Sequence, residues 1–174
     1  MLTASLIVVA LIVAAVLAIA TAKPDTFRIQ RSASIKAAPE KIFPLISDLK
    51  SRLAWSPFEK DPAMKRTFVE PANGRGAVYE WDGNRKVGAG RIQVMTVSAP
   101  FLVTMELMMF RPFKAHNLVE FTVEPKGEAT NVSWAMQGRQ PFMGKVMSTF
   151  INCDKMVGRE FETGLAKLKA LAEA

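Results

Sequence analysis

Two residue types that build most hydrolytic and metal sites are nearly missing from this chain, which has one cysteine, Cys153, and one histidine, His116. A single cysteine excludes an intrachain disulfide and lends no support to an oxidising compartment. Cys153 lies among apolar residues in a helical stretch, where a buried inert thiol is expected. A lone histidine without a Cys/His cluster leaves no zinc ligand set. There is no GxSxG-type elbow, and His116 alone cannot complete a Ser/His/Asp or Cys/His arrangement. The glycine pairs Gly74/Gly76 and Gly88/Gly90 fall beside hairpin strands rather than ahead of helices, which excludes a phosphate cradle. Charge is missing too, from Ala4 to Ala22 (ASLIVVALIVAAVLAIATA).

That uncharged run makes a helix of roughly 28 Å, close to the ~30 Å hydrocarbon core of a bilayer. Two readings compete for it. A secretory signal needs a basic n-region and a small-x-small cleavage site. Ala20-Thr21-Ala22 supplies the second, but no Lys or Arg precedes the run. A retained transmembrane helix fits the length better. Lys23, Arg28 and Arg31 follow it, and positive charge stays inside. The expected organisation is a single-pass membrane segment (or uncleaved signal) at 1–24 and one globular domain at 25–174, on the cytoplasmic side.

The globular part is a usual size for one domain with its own core. The net charge of +7 comes from Lys and Arg scattered along the domain, not gathered into a tract. Such a surface is solvated; near a bilayer, each basic residue is drawn to anionic headgroups by about 1 kcal/mol. Nucleic-acid binding needs a basic stripe interleaved with exposed aromatics, or a known reader motif. Neither is found, so no nucleic-acid partner is expected.

Phe27–Lys36 (FRIQRSASIK) alternates in the manner of a half-buried strand. Ala38-Pro39-Glu40 opens a helix with Pro in its first turn, and Pro44 keeps that helix short or bent. Trp55–Pro62 (WSPFEKDP) reads as a loop packed on its own side chains. Six strands are then expected, at Met64–Glu70, Gly76–Asp82, Lys86–Val97, Phe101–Phe110, Ala115–Glu124 and Thr130–Gln137. A Pro71-Ala72-Asn73-Gly74 turn and a hairpin at Asp82-Gly83-Asn84 join the first of them. Short connections argue for an antiparallel sheet. The C-terminal third reads as one long helix from Phe142 or Gly144 to Ala172. Its stripe of Met143, Met147, Phe150, Asp154, Val157, Phe161, Gly164, Leu168 and Leu171 alternates spacings of four and three. The fold class is α+β: a curved antiparallel sheet of six or seven strands wrapped around a long C-terminal helix, preceded by a transmembrane helix.

The two facing surfaces have an unusual composition. The strands offer Trp81, Met105, Met109, Trp134 and Met136, and the helix offers Met143, Met147, Phe150 and Phe161. Methionine is unbranched and polarizable, and is over-used where one surface accepts several apolar shapes. This density points to a cavity, since a mostly apolar pocket with few polar groups is the usual form of a small-molecule site. Tyr79 shares strand parity with Trp81 and Ala77 and should look inward. Asp154 takes an apolar position between Phe150 and Val157, where a lone carboxylate needs a partner. It is read as an ion pair to a sheet Arg or Lys, as solvent-exposed through a shift in helix phase, or as a polar anchor or raised-pKa acid in the pocket. Gly158 and Gly164 cost roughly 1 kcal/mol each in a helix interior, which implies a close backbone approach or a bend. The expected cavity lining is Trp55, Tyr79, Trp81, Met105, Met109, Trp134, Met136, Met147, Phe150, Asp154 and Phe161. No residue is assigned a catalytic or metal-binding role, and no cofactor is expected.

The segments WSPFEKDP (55–62), GRGAVYEWDGNRKVGAGR (74–91), RPF (111–113), TNVSWAMQG (130–138) and DKMVGREFETGLAKLK (154–169) resemble the polyketide cyclase/dehydrase-like branch of the START-like (SRPBCC, helix-grip) superfamily. The resemblance covers nearly all of the globular part. It implies a helix-grip domain with an apolar cavity under the long helix. Many members bind lipids, sterols, quinones or polyketides, and some catalyse cyclisation or dehydration.

The reading favoured here is membrane-tethered binding of a hydrophobic small molecule, such as a lipid, an isoprenoid or a polyketide-like compound. An alternative is a cyclase or dehydratase, for which Tyr79 and Asp154 are the pair able to move a proton. Strand parity puts His116 on the solvent face. A third reading is a protein-interaction module at the membrane. No polar spacing here demands catalysis, which leans against an enzyme.

Overall fold

The computed structural model of the chain describes residues 2–71 and 73–174. Ala72, within the expected Pro71–Gly74 turn, lies outside the described residues. A helix, α1 (Leu2–Ala22), leads into β1 (Thr26–Ile35), α2 (Pro39–Ser47) and a short 3-10 helix (Ser51–Ala54). The strands β2 (Lys65–Val69), β3 (Val78–Asp82), β4 (Ala89–Ser98), β5 (Leu102–Arg111), β6 (Ala115–Lys126) and β7 (Ala129–Arg139) follow. Two helices close the chain, α3 (Phe142–Phe150) and α4 (Cys153–Glu173).

The described strands form one seven-stranded antiparallel sheet in the order β1-β7-β6-β5-β4-β3-β2. The inner face of the sheet receives α4 against β1 and β7 and α2 against β6. In β1 the strand alternation leaves Ile29 and Ile35 buried while Arg28, Gln30 and Ser32 are exposed. Trp134 on β7 stacks on Phe161 of α4 at 4.1 Å, and Trp55 meets Trp134 edge-on at 5.6 Å. Aromatic pairs at these separations add to the stability that burial alone confers.

Two glycines let α4 lie this close. A Cβ at Gly164 would sit 2.8 Å from the Trp134 ring and 2.9 Å from Pro57. At Gly158 it would overlap the Arg31 guanidinium, which crosses α4 to reach Asp154 and Glu162, each at 2.9 Å.

The expected single C-terminal helix is in fact two. Ile151 is extended, and Asn152 caps α4 by accepting the Lys155 N–H at 2.8 Å. α3 lies along α1 instead of continuing over the sheet. Lys145 of α3, itself buried, reaches Asp25 at 2.5 Å, and Lys23 donates to Ser148 Oγ at 3.0 Å. These contacts stitch α3 to the three-residue joint between α1 and β1. The Lys145 ammonium holds the Asp25 carboxyl below its ordinary range, by hydrogen bond first and charge second.

Strand register gathers several connections at one end of the sheet. Thr26 pairs with Arg139, Ala89 with Arg111, and Asp82 with Ala89, so the start of β1, the β3–β4 turn, the β5–β6 turn and the exit of β7 share that end. α1 leaves the domain there, and α3 starts there. Ser5–Ala22 of α1 is long and apolar enough to cross a membrane, a property that signal sequences share, and little of it is buried.

Candidate functional site

Between the inner sheet face, α4 and the 55–62 loop lies a cavity of about 430 Å³, within the ~300–1,000 Å³ usual for ligand pockets. Its depth is formed by buried side chains, among them Arg52, Tyr79, Val119, Trp134 and Phe161. Exposed residues form its mouth: Lys60 from the loop, Lys86 from the β3–β4 turn, Pro112 from the β5–β6 turn and Met156 from the first turn of α4. The cavity therefore opens at the end of the sheet from which α1 departs. A bridge of 2.6 Å between Lys60 and Glu160, both lining residues, joins the loop to α4 across this opening.

Polar groups are few and mostly engaged with one another. Glu59 accepts a hydrogen bond from the Tyr79 hydroxyl at 2.8 Å and one from Arg66 Nε at 2.9 Å. Burial, and after it the Glu59 carboxylate, pushes the Tyr79 hydroxyl above its ordinary value. Asn117 turns its amide toward the Met136 sulfur at 3.8 Å. Apart from Arg52, Ser56 and the charged side chains at the mouth, the remaining wall is aliphatic, aromatic and thioether.

A family model described as polyketide cyclase / dehydrase and lipid transport matches residues 26–173, the whole of the domain that encloses the cavity. The chain belongs to this family. Its solved neighbours in this helix-grip fold are distant in sequence. The KanY protein is 18% identical with a TM-score of 0.64, over 86% of this chain and 99% of that one. A ginseng (Panax ginseng) major latex-like protein is 11% identical with a TM-score of 0.63, over 87% of this chain and 100% of that one. A Chromobacterium violaceum protein is 15% identical with a TM-score of 0.61, over 87% and 99%. No curated protein is similar enough in sequence to count as a relative. At these identities the likeness is one of fold, and the chemistry has to be read from the cavity of this family member itself.

Of the residues expected to line that cavity, Tyr79, Trp81, Met109, Trp134, Met136 and Phe161 do so. Trp55 and Met105 do not: both are fully buried behind the wall, with Trp55 fixed by its indole N–H to the Leu45 carbonyl at 2.8 Å. Met147 and Phe150 are a second correction. The break at Ile151 takes them onto α3, beside α1, where Met147 and Phe150 are exposed with Met143. Asp154 is a third. Its side chain is 60% exposed and pairs with Arg31, so the ion-pair alternative holds and the pocket anchor does not. The Arg31 hydrogen bond keeps the Asp154 carboxyl below its ordinary range. His116 is exposed, 2.6 Å from Glu106 on the outer face of the sheet.

Sequence reasoning missed Arg52 and Glu59. The signal for Arg52 lay in its spacing: Leu49, Arg52 and Trp55 recur every third residue, the period of a 3-10 helix, and all three are buried.

Proposed function

We propose that this protein is a membrane-tethered receptor for a hydrophobic small molecule, a lipid or isoprenoid in preference to a soluble polyketide. The observation that carries the reading is the position of the opening. An apolar cavity of about 430 Å³ opens at the end of the sheet where α1 leaves the domain. Exposed apolar side chains stand at that same end, with Phe113 of the β5–β6 turn 78%, Phe150 of α3 71% and Met143 of α3 69% exposed. Side chains of this kind are stable in the headgroup–acyl boundary of a bilayer. With α1 inserted, the mouth lies close to the membrane surface, and a guest passes from bilayer to cavity without crossing bulk water. The family's lipid transport description is consistent with this use.

Native mass spectrometry of the full-length protein, extracted from its own membranes, tests the reading. The expected result is a co-purified mass of lipid size that disappears in Val119→Trp, a substitution that fills the cavity from its sheet wall. Wild-type protein carrying no such mass, and taking up none from added lipid extract, would sink the proposal.

A further inference from the structure

Arg52 does not match its surroundings. It belongs to the short 3-10 helix at the inner end of the cavity, is only 8% exposed, and has its guanidinium carbon 5.5 Å from the rings of both Trp55 and Phe121. Nη1 donates to the Met105 sulfur at 2.9 Å, while among the described residues Nε is buried without an acceptor. Nor does Arg52 form an ion pair among the described residues. The acid in the same cavity, Glu59, is already held by Tyr79 and Arg66. Burial pulls the Arg52 guanidinium down to about 10, so it remains a cation at neutral pH.

A second donor is stranded close by. The Trp134 indole N–H is buried without an acceptor, and Trp134 lines the same cavity. Its ring lies 5.6 Å from Trp55 and 5.0 Å from Phe121, the two rings that flank Arg52. Two buried N–H donors, one of them on a cation, therefore stand at the inner end of an apolar cavity without an acceptor. Burial of an uncompensated charge is destabilising. Ring faces offset part of that loss, but they cannot accept these hydrogen bonds as a carboxylate does.

We propose that the cavity selects amphiphiles bearing a single carboxylate, a long-chain fatty or isoprenoid acid, with the head on Arg52 and the tail running past Met109 to the mouth. This rests on the binding function proposed above and names the class of guest. A carboxylate suits the site because it meets a guanidinium through two parallel hydrogen bonds. Its one negative charge balances one cation. A phosphate monoester carries about −1.5 to −2 at neutral pH, which Arg52 alone, with Glu59 nearby, does not neutralise. An ester or an alcohol leaves the cation uncompensated. The direction of the tail follows from β5, where Met105 lies behind the inner wall and Met109 lies toward Arg111 and the β5–β6 turn.

The test uses full-length protein in nanodiscs of uncharged lipid, photo-crosslinked with palmitic acid carrying a diazirine in its chain, and in parallel with the methyl ester. Adducts are mapped by peptide mass spectrometry. The acid should label cavity residues roughly tenfold more than the ester. Arg52→Met should abolish the preference, so that acid and ester label alike, while Arg52→Lys keeps an intermediate preference. Arg52→Met should melt no lower than wild type, because an apolar side chain replaces an unpaired buried charge. Equal labelling of wild type by acid and ester overturns the carboxylate assignment while leaving the binding function intact, and needs no variant to be read. Absence of cavity adducts from both probes overturns the carboxylate assignment and the binding function together.

Discussion

A methyl group added at Gly158 or at Gly164 meets very different neighbours, and the contrast separates tight packing from a loose surface clasp. At Gly164 the obstacles are the Trp134 ring and Pro57, at 2.8 and 2.9 Å, neither of which can swing aside. Overpacking of this kind costs about 1–3 kcal/mol, more than the roughly 1 kcal/mol that alanine gains over glycine in a helix. Gly164→Ala should therefore lower stability by up to about 2 kcal/mol in urea titration. At Gly158 the obstacle is the mobile tip of Arg31, whose partners Asp154 and Glu162 are themselves exposed. Gly158→Ala should stay within about 0.5 kcal/mol of wild type, since helix propensity offsets a weakened surface pair. Their cost in a helix marked both glycines as the site of a close approach or a bend. What each approached was not legible, because Arg31 and Trp134 lie on strands distant in sequence. Asp154 illustrates the same limit: periodicity gave its phase on the helix, and only the crossing of Arg31 shows that its carboxylate turns outward.

At the scale of elements, the strands were readable because a two-residue alternation survives any choice of sheet curvature. Thr26–Ile35 differs from the expected Phe27–Lys36 by one residue at each end. The helix break was hidden for a related reason. Met143, Met147, Phe150, Asp154, Val157 and Phe161 keep spacings of four and three straight through Ile151, so the stripe looks continuous although two separate helices carry it. Periodicity records which residues are apolar and is blind to which surface receives them. Here α1 receives α3, and the sheet receives α4. The local sign of the break was Asn152, a favoured N-cap residue. Replacing it by alanine should cost about 1 kcal/mol, seen as an earlier urea midpoint, with faster amide exchange confined to the first turn of α4.

For the whole molecule, the proposed tether makes a firm expectation about location. Full-length protein should remain in the membrane pellet after alkaline carbonate washing. Trypsin added to intact cells should leave the domain uncut, and should digest it once the cells are opened. Release by carbonate would instead identify residues 1–24 as a removed signal, and cleavage from outside would reverse the orientation. Composition already suggested a lipid-facing life, through the uncharged run before Lys23. It could not reveal that the cavity opens at the end where that run joins the sheet, because this depends on the register of all the strands. The joint has a further consequence. Only Lys23, Pro24 and Asp25 separate α1 from β1, a span of roughly 10 Å at full stretch, and Lys145 fastens the last of them. With α1 anchored as proposed, so short a leash would keep the domain from commuting between two compartments with a guest. On that proposal, whatever it bound would be handed over where it stands, to an enzyme or carrier that travels to it.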